Sequence, residues 1–215
     1  MLYSNVILFF GNVKEEEFME KLPITAIILA GGQSNRMNGV DKGLMLLAGK
    51  PLFQHVINRI KPQVDLLMVN CNRHVDQYHS LGYPVFCDDL KGFLGPLSGI
   101  YSGLLRSTTT WNLFVSCDTP FLPNDLIVRL VKFTATHQAI YPFDGGKDHP
   151  TILLINKSIT PQLKNYLEEG NRKLMLFLQQ INSIAVDFSD KPASFTNINT
   201  VEMLESASFA IKANI

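Results

Sequence analysis

The densest chemistry in the sequence lies between Leu29 and Gly43, in the stretch LAGGQSNRMNGVDKG. Adjacent glycines, Gly31 and Gly32, are followed within one loop by the cations Arg36 and Lys42. Glycines let backbone N–H groups approach phosphate oxygens with no Cβ in the way. A guanidinium offers phosphate a planar fork, and a lysine ammonium a compact mobile charge. The stretch is not a dinucleotide fingerprint, because G-x-G-x-x-G is absent. Nor is it a Walker A loop, because Pro51 follows Gly49-Lys50 where Ser or Thr is required. Phosphate binding is the reading that uses both features; a tight turn with surface charges is the plain alternative. Asp118 is the second signal, at the end of the apolar run Leu113 to Cys117. A carboxylate there points into a crevice where Mg²⁺ joins it to phosphates. A cap for the helix near Pro123 is the other reading. Nucleotidyl transfer asks a protein for charge neutralisation and in-line alignment more than for covalent work.

Such groups have to be carried by a scaffold, and the chain alternates apolar runs with helical patterns in the βαβ manner. Ile24 to Ala30 reads as a strand buried on both faces. A helix begins at Pro51, with Phe53, Val56, Ile57 and Ile60 at helical spacing. Strands are expected at Asp65–Cys71 and Pro84–Asp89, a helix at Gly95–Ser107, and a strand at Trp111–Pro120. A helix opens at Pro123. QAIYPF and TILLIN are strands separated by the polar turn Asp144–Pro150, and the region Asp144 to Asn156 is expected to add a smaller antiparallel element. Two helices between Thr160 and Gln180, the strand SIAVDF and a helix from Thr200 to about Phe209 complete the pattern. The expected fold is α/β: a single doubly wound, mostly parallel sheet. Residues 24–209 form the domain, with 1–23 as a poorly ordered N-terminal extension in which Met19 is a candidate start. Polar residues end each of the first four strands: Gly31-Gly32, Asn70, Asp88-Asp89 and Asp118. In such sheets ligands bind at that edge.

Composition narrows the class. Of 215 residues, 46% are hydrophobic and 18% charged, which excludes a disordered chain. Lys plus Arg is 19 and Asp plus Glu is 19, so a nucleic-acid binder, with its basic excess, is not expected. No apolar run reaches a membrane span of about 18 residues. The patch Val6 to Phe10 lacks the flanks of a signal peptide. Cys71, Cys87 and Cys117 fit neither a disulfide framework nor a zinc site and read as the reduced thiols of a cytoplasmic protein.

The motif LAGGQSNRMNGVDK, followed by GKPL, VNCNR, GPLSG and CDTPF, resembles the nucleotidyltransferases that carry an LAGG-x-x-x-RM signature. GVDKG, VNCNRH, DGGKDHPT, VDFSD and TNINT narrow the resemblance to the molybdenum cofactor guanylyltransferase family, in order from Ile24 to Leu204. The resemblance implies a Rossmann-like nucleotidyltransferase fold and transfer of GMP from GTP to molybdenum-molybdopterin. GTP would be contacted by Leu29, Ala30, Gly31, Lys42, Asn70, Asp88 and Asp118, with Mg²⁺ on Asp118 and catalytic duties on Arg36, Lys42 and Asp118. The molybdopterin face would comprise Asp144, His149, Arg172, Asn197 and Asn199. Partners so implied are molybdopterin-handling proteins and apo-molybdoenzymes, around a monomer. The competing readings are a cytidylyltransferase of molybdopterin or a sugar phosphate, and a non-catalytic protein that delivers the cofactor.

Overall fold

The computed structural model describes residues 22–32, 41–90 and 95–213. Arg36 and most of the N-terminal extension therefore lie outside the described residues. The apolar runs form a seven-stranded sheet in the order β5-β4-β1-β6-β8-β7-β9. Its strands are β1 (Ile24–Leu29), β4 (Leu66–Asn70), β5 (Val85–Phe86), β6 (Trp111–Ser116), β7 (Ala139–Phe143), β8 (Leu153–Asn156) and β9 (Ser183–Asp187). A small antiparallel hairpin, β2 (Leu46–Leu47) and β3 (Lys50–Pro51), stands apart from it. The helices are α1 (Leu52–Ile60), α2 (Val75–His79), α3 (Pro96–Arg106), α4 (Leu126–Leu130), α5 (Thr160–Glu168), α6 (Leu174–Gln180) and α7 (Val201–Ala213).

Both faces of the sheet are covered, which is why its strands read as continuous apolar runs. Ala26, Ile28, Leu113 and Val115 face one core with Phe53, Val56 and Leu126 from α1 and α4. Their neighbours Ile27 and Phe114 face the other, with Ile100, Leu163 and Phe177 from α3, α5 and α6. The two-residue period of a strand does this sorting. A third, smaller cluster joins Leu47 and Leu52 to Ile198 and packs α7 onto the hairpin.

Three expectations shift. The antiparallel element is not separate: β8 lies inside the main sheet, antiparallel to both β6 and β7, while β1–β4, β1–β6, β4–β5 and β7–β9 are parallel. The third strand shrinks to Val85–Phe86, because Asp88 and Asp89 turn aside to side-chain partners. The helix expected at Pro123 begins at Leu126 and is only five residues long. From β1 the chain winds outward to β4 and β5, then returns to β6 on the far side of β1. The winding reverses between β1 and β6, and in doubly wound sheets the crevice opens at that point.

Candidate active site

Register brings the site together. Leu29 of β1 pairs with Asn70 of β4 on one side and Ser116 of β6 on the other, so three parallel strands end at one level. The Ala30 N–H donates to the Asn70 carbonyl at 2.8 Å, and the Cys117 N–H to the Leu29 carbonyl at 3.1 Å. Beyond these ends lies a cavity of about 390 Å³, lined by Leu29, Gly31, Asn70, Asp88, Gly99 and Ser116 among others. Its far wall is the start of α3, where Gly95 has φ +73° and Pro96 occupies the first turn. Gly99 has to be glycine: a Cβ there would stand 2.5 Å from Asn70 Oδ1 and 2.9 Å from Leu29 Cδ2.

Asn70 is buried and donates from Nδ2 to Asp88 Oδ1 at 2.9 Å. The Asp88 backbone N–H donates to Asn72 Oδ1 at 2.9 Å, so Asp88 is held from two directions. Asp89, the competing carboxylate, turns away to a two-pronged contact with Arg106, which holds its carboxyl below its usual value. Arg106 in turn lies over the Phe86 ring. Sequence reading missed Asn72 and Arg73, whose guanidinium donates to the Gly32 carbonyl at 3.0 Å. Both lie in the VNCNRH motif, two and three residues past a strand end, and those were the signals available.

A second cluster forms around Asp118, which is 8% exposed. Its Oδ1 accepts from the Ser116 hydroxyl at 2.6 Å and from Asn197 Nδ2 at 3.0 Å. Its backbone carbonyl accepts from the Ile198 N–H at 2.8 Å. Lys42 Nζ stands 3.8 Å from Asp118 Oδ2 and donates to Asn199 Oδ1 at 2.7 Å. The capping alternative for Asp118 loses its basis, since its side chain serves these partners and the N-cap of α4, Asp125, makes no side-chain cap bond. Asn197 and Asn199 thus meet the two charged groups directly, with buried Ile198 between them as an anchor.

Asp144 and His149 form their own pair at the end of β7, with Nε2 2.7 Å from Oδ2. The Gly146 and Lys147 N–H groups donate to Asp144 Oδ1, both at 2.8 Å, and the buried His149 ring stacks on Phe195 at 4.9 Å. Among the described residues, Arg172 bonds neither of the two asparagines. Its guanidinium donates to the Leu167 carbonyl at 2.8 Å, and its own carbonyl lies beside Gly95 at the cavity's α3 wall. The His149 ring, then the Lys147 and Gly146 N–H groups, hold the Asp144 carboxyl down from 3.8 to about 2. A lowered carboxyl stabilises the fold fully above its unfolded pKa and loses that contribution as pH falls through the folded one. The stability advantage of the parent over Asp144→Asn is therefore expected to fade as pH falls from 3.8 to about 2. Denaturant unfolding across that window measures it; an advantage unchanged at the acid end would contradict the pairing.

Among the described residues no group of three or more His, Cys, Asp or Glu side chains could hold a metal alone. A hard cation at Asp118 would take its remaining ligands from phosphates and water, as Mg²⁺ does when it binds through one or two carboxylates. The residues fit that mode. His55 is structural, with Nε2 2.8 Å from the Leu47 carbonyl. The thiols of Cys71 and Cys117 are buried, and burial pushes Cys71 up to about 12.

A strand-end cavity, a carboxylate and a cation are shared by many nucleotide enzymes. A family model described as a MobA-like NTP transferase domain matches residues 26–183. The chain belongs to that family. MobA-like NTP transferases are nucleotidyltransferases, and that is the class of chemistry of this enzyme. It is 46% identical over 187 residues to the molybdenum cofactor guanylyltransferase of Pasteurella multocida, covering 86% of this chain and 99% of that one. The protein of the same name from Yersinia pseudotuberculosis is 49% identical over 177 residues, 82% of this chain and 91% of that one. Among solved structures, the molybdopterin-guanine dinucleotide biosynthesis protein A of Archaeoglobus fulgidus superposes with a TM-score of 0.72 at 24% identity, covering 89% and 100% of the two chains. A 4-diphosphocytidyl-2C-methyl-D-erythritol synthase from Anaerococcus prevotii gives 0.67 at 12%, covering 89% and 97%. These structural likenesses speak for the fold. Among the described residues, no helix of this MobA-like enzyme is long and apolar enough to cross a membrane.

Proposed function

We propose that this MobA-like enzyme transfers GMP from GTP to the terminal phosphate of molybdenum-molybdopterin. The observation that carries the reading is identity of 46% to 49%, over more than four-fifths of the chain, to proteins named for that activity. A phosphate oxygen of the acceptor attacks the α-phosphorus of GTP. One P–O bond forms, the bond from the α-phosphorus to the bridging oxygen breaks, and pyrophosphate leaves with the electron pair. The nucleophile is already anionic, so no side-chain base is needed. Lys42 neutralises charge on the triphosphate, and Arg36 is assigned to the same task from the glycine loop. Asp118 would hold Mg²⁺, which when bound would supply Lewis-acid stabilisation of the phosphoryl oxygens. Asn197 and Asn199 keep Asp118 and Lys42 in place, supported by their bonds of 3.0 and 2.7 Å. Leu29, Ala30 and Gly31 cradle the nucleotide. Asp144, His149 and Arg172 are assigned to the molybdopterin side, residues 24–209 to the catalytic domain, and the working enzyme to a cytoplasmic monomer that hands its product to molybdopterin-handling proteins and apo-molybdoenzymes.

The choice of base is assigned to Asp88 and Asn70. A carboxylate pairs with two donors side by side, as on the N1–H and exocyclic amine of guanine. Cytosine presents an acceptor beside its amine, and a carboxylate facing it leaves a buried group unpaired, a source of strong discrimination. Pyrophosphate release is therefore expected with GTP, Mg²⁺ and molybdopterin, and far more weakly with CTP, ATP or UTP. A kcat/KM for CTP equal to that for GTP would remove the guanylyl assignment.

A further inference from the structure

Lys42 has a long, flexible side chain, yet its ammonium must meet phosphates at a defined place. The turn that carries it, Lys42–Leu44, is built around a buried acid. Asp41 is 6% exposed, and its Oδ1 accepts from the Gly43 N–H at 3.1 Å, capping the turn. The same oxygen accepts from the Tyr78 hydroxyl at 2.7 Å. Tyr78 is fully buried in α2, its ring set edge-on against Phe53 at 4.7 Å. The fit beneath the turn is close: a Cβ on Gly43 would stand 2.3 Å from the Tyr78 hydroxyl. Burial drives the Tyr78 hydroxyl far above its usual range, so it stays protonated and remains a donor. The α2 segment begins just after Asn72 and Arg73, which bond Asp88 and the Gly32 carbonyl. One connection therefore touches the base-side carboxylate, the glycine loop and the lysine turn.

We propose that Tyr78, acting through Asp41, is a positioning residue for Lys42: the buried hydroxyl–carboxyl bond fixes the turn that aims the ammonium at Asp118 and Asn199. The inference rests on the reading of Lys42 as the phosphate cation. Neither Tyr78 nor Asp41 touches substrate, since both are buried beneath the turn. Without the hydroxyl, Asp41 Oδ1 keeps, among the described residues, only the Gly43 N–H, and the turn is free to tilt while the core ring stays in place. Displacing a charge-neutralising group is costly, because electrostatic stabilisation depends on preorganised geometry.

The test is a double-mutant cycle on guanylyl transfer with the full chain: parent, Tyr78→Phe, Lys42→Ala and the double variant, each with kcat/KM for GTP and a melting temperature. Tyr78→Phe alone is expected to lower kcat/KM on the order of tenfold, the scale of one lost buried hydrogen bond. In the Lys42→Ala background the same change should alter kcat/KM by less than about twofold, because the group it positions is gone. Any fall in melting temperature should be the same in both backgrounds, which separates stability from positioning. An equal loss of kcat/KM in both backgrounds, or no loss when Lys42 is present, overturns the proposal. If Lys42→Ala alone left kcat/KM unchanged, the reading of Lys42 itself would fail, a result distinct from a silent Tyr78→Phe.

Discussion

Asp118→Asn is expected to keep the fold and lose turnover by a factor on the order of 10² or more, the usual consequence of removing one charge-stabilising group. The geometry separates the two effects. Oδ1 accepts from Ser116 and Asn197, and an asparagine can leave its carbonyl oxygen there. Its amide nitrogen then falls where Oδ2 faces Lys42 at 3.8 Å, so the loss is of charge beside a cation and of the oxygen assigned to the metal. The backbone bond from the Ile198 N–H to the residue 118 carbonyl is untouched. The measurement is kcat at saturating GTP over a Mg²⁺ titration, with a melting curve alongside. Turnover within about twofold of the parent, the scatter expected of an inconsequential substitution, would remove Asp118 from the metal role.

What could be read in advance follows the range of the interactions. The strands from Ile24, Leu66 and Trp111 were legible because burial on both faces forces an unbroken apolar run, and this is a local property of sequence. Their polar ends, Asn70 and Asp118, were legible for the same reason: polarity after such a run marks a strand end, and strand ends meet at one edge. The antiparallel placing of β8 was only half legible. The turn from Asp144 to Pro150 announces a reversal, but nothing in TILLIN says that it inserts between β6 and β7. The shortness of β5 was hidden because Asp88 and Asp89 look alike in sequence. Only the distant partners Asn70 and Arg106 tell them apart.

The same limit applies within the site. Asn197 and Asn199 alternate about Ile198, and a two-residue alternation sends both asparagines to one side and the isoleucine to the other. That much is local. Which charged groups they meet depends on contacts 79 and 157 residues away in sequence. Tyr78 carried no signal at all, since a buried tyrosine on a short helix is ordinary core until its hydroxyl is found on Asp41.

Lys42→Ala should cost the second large effect, between about 10-fold and 10²-fold in kcat/KM, as expected for a lost hydrogen bond to a charged group. Direct binding should weaken for GTP and stay nearly unchanged for molybdopterin. Asn199→Ala is expected to move in the same direction by a smaller factor, because Lys42 keeps its charge and loses only the 2.7 Å acceptor that holds it. Arg172→Ala should leave GTP binding within about twofold, as for an exposed side chain whose bonds are to backbone carbonyls of its own segment. Its carbonyl borders the cavity at Gly95, but its guanidinium donates to the Leu167 and Asn171 carbonyls and, among the described residues, bonds neither Lys42 nor Asn199. The comparison to make is equilibrium binding of each ligand to the three variants. GTP binding weakened equally by Arg172→Ala and Lys42→Ala would extend the nucleotide site to the α5 end. GTP binding untouched by Asn199→Ala, with molybdopterin binding lost, would return Asn199 to the pterin side and leave Asp118, among the described residues, to hold Lys42.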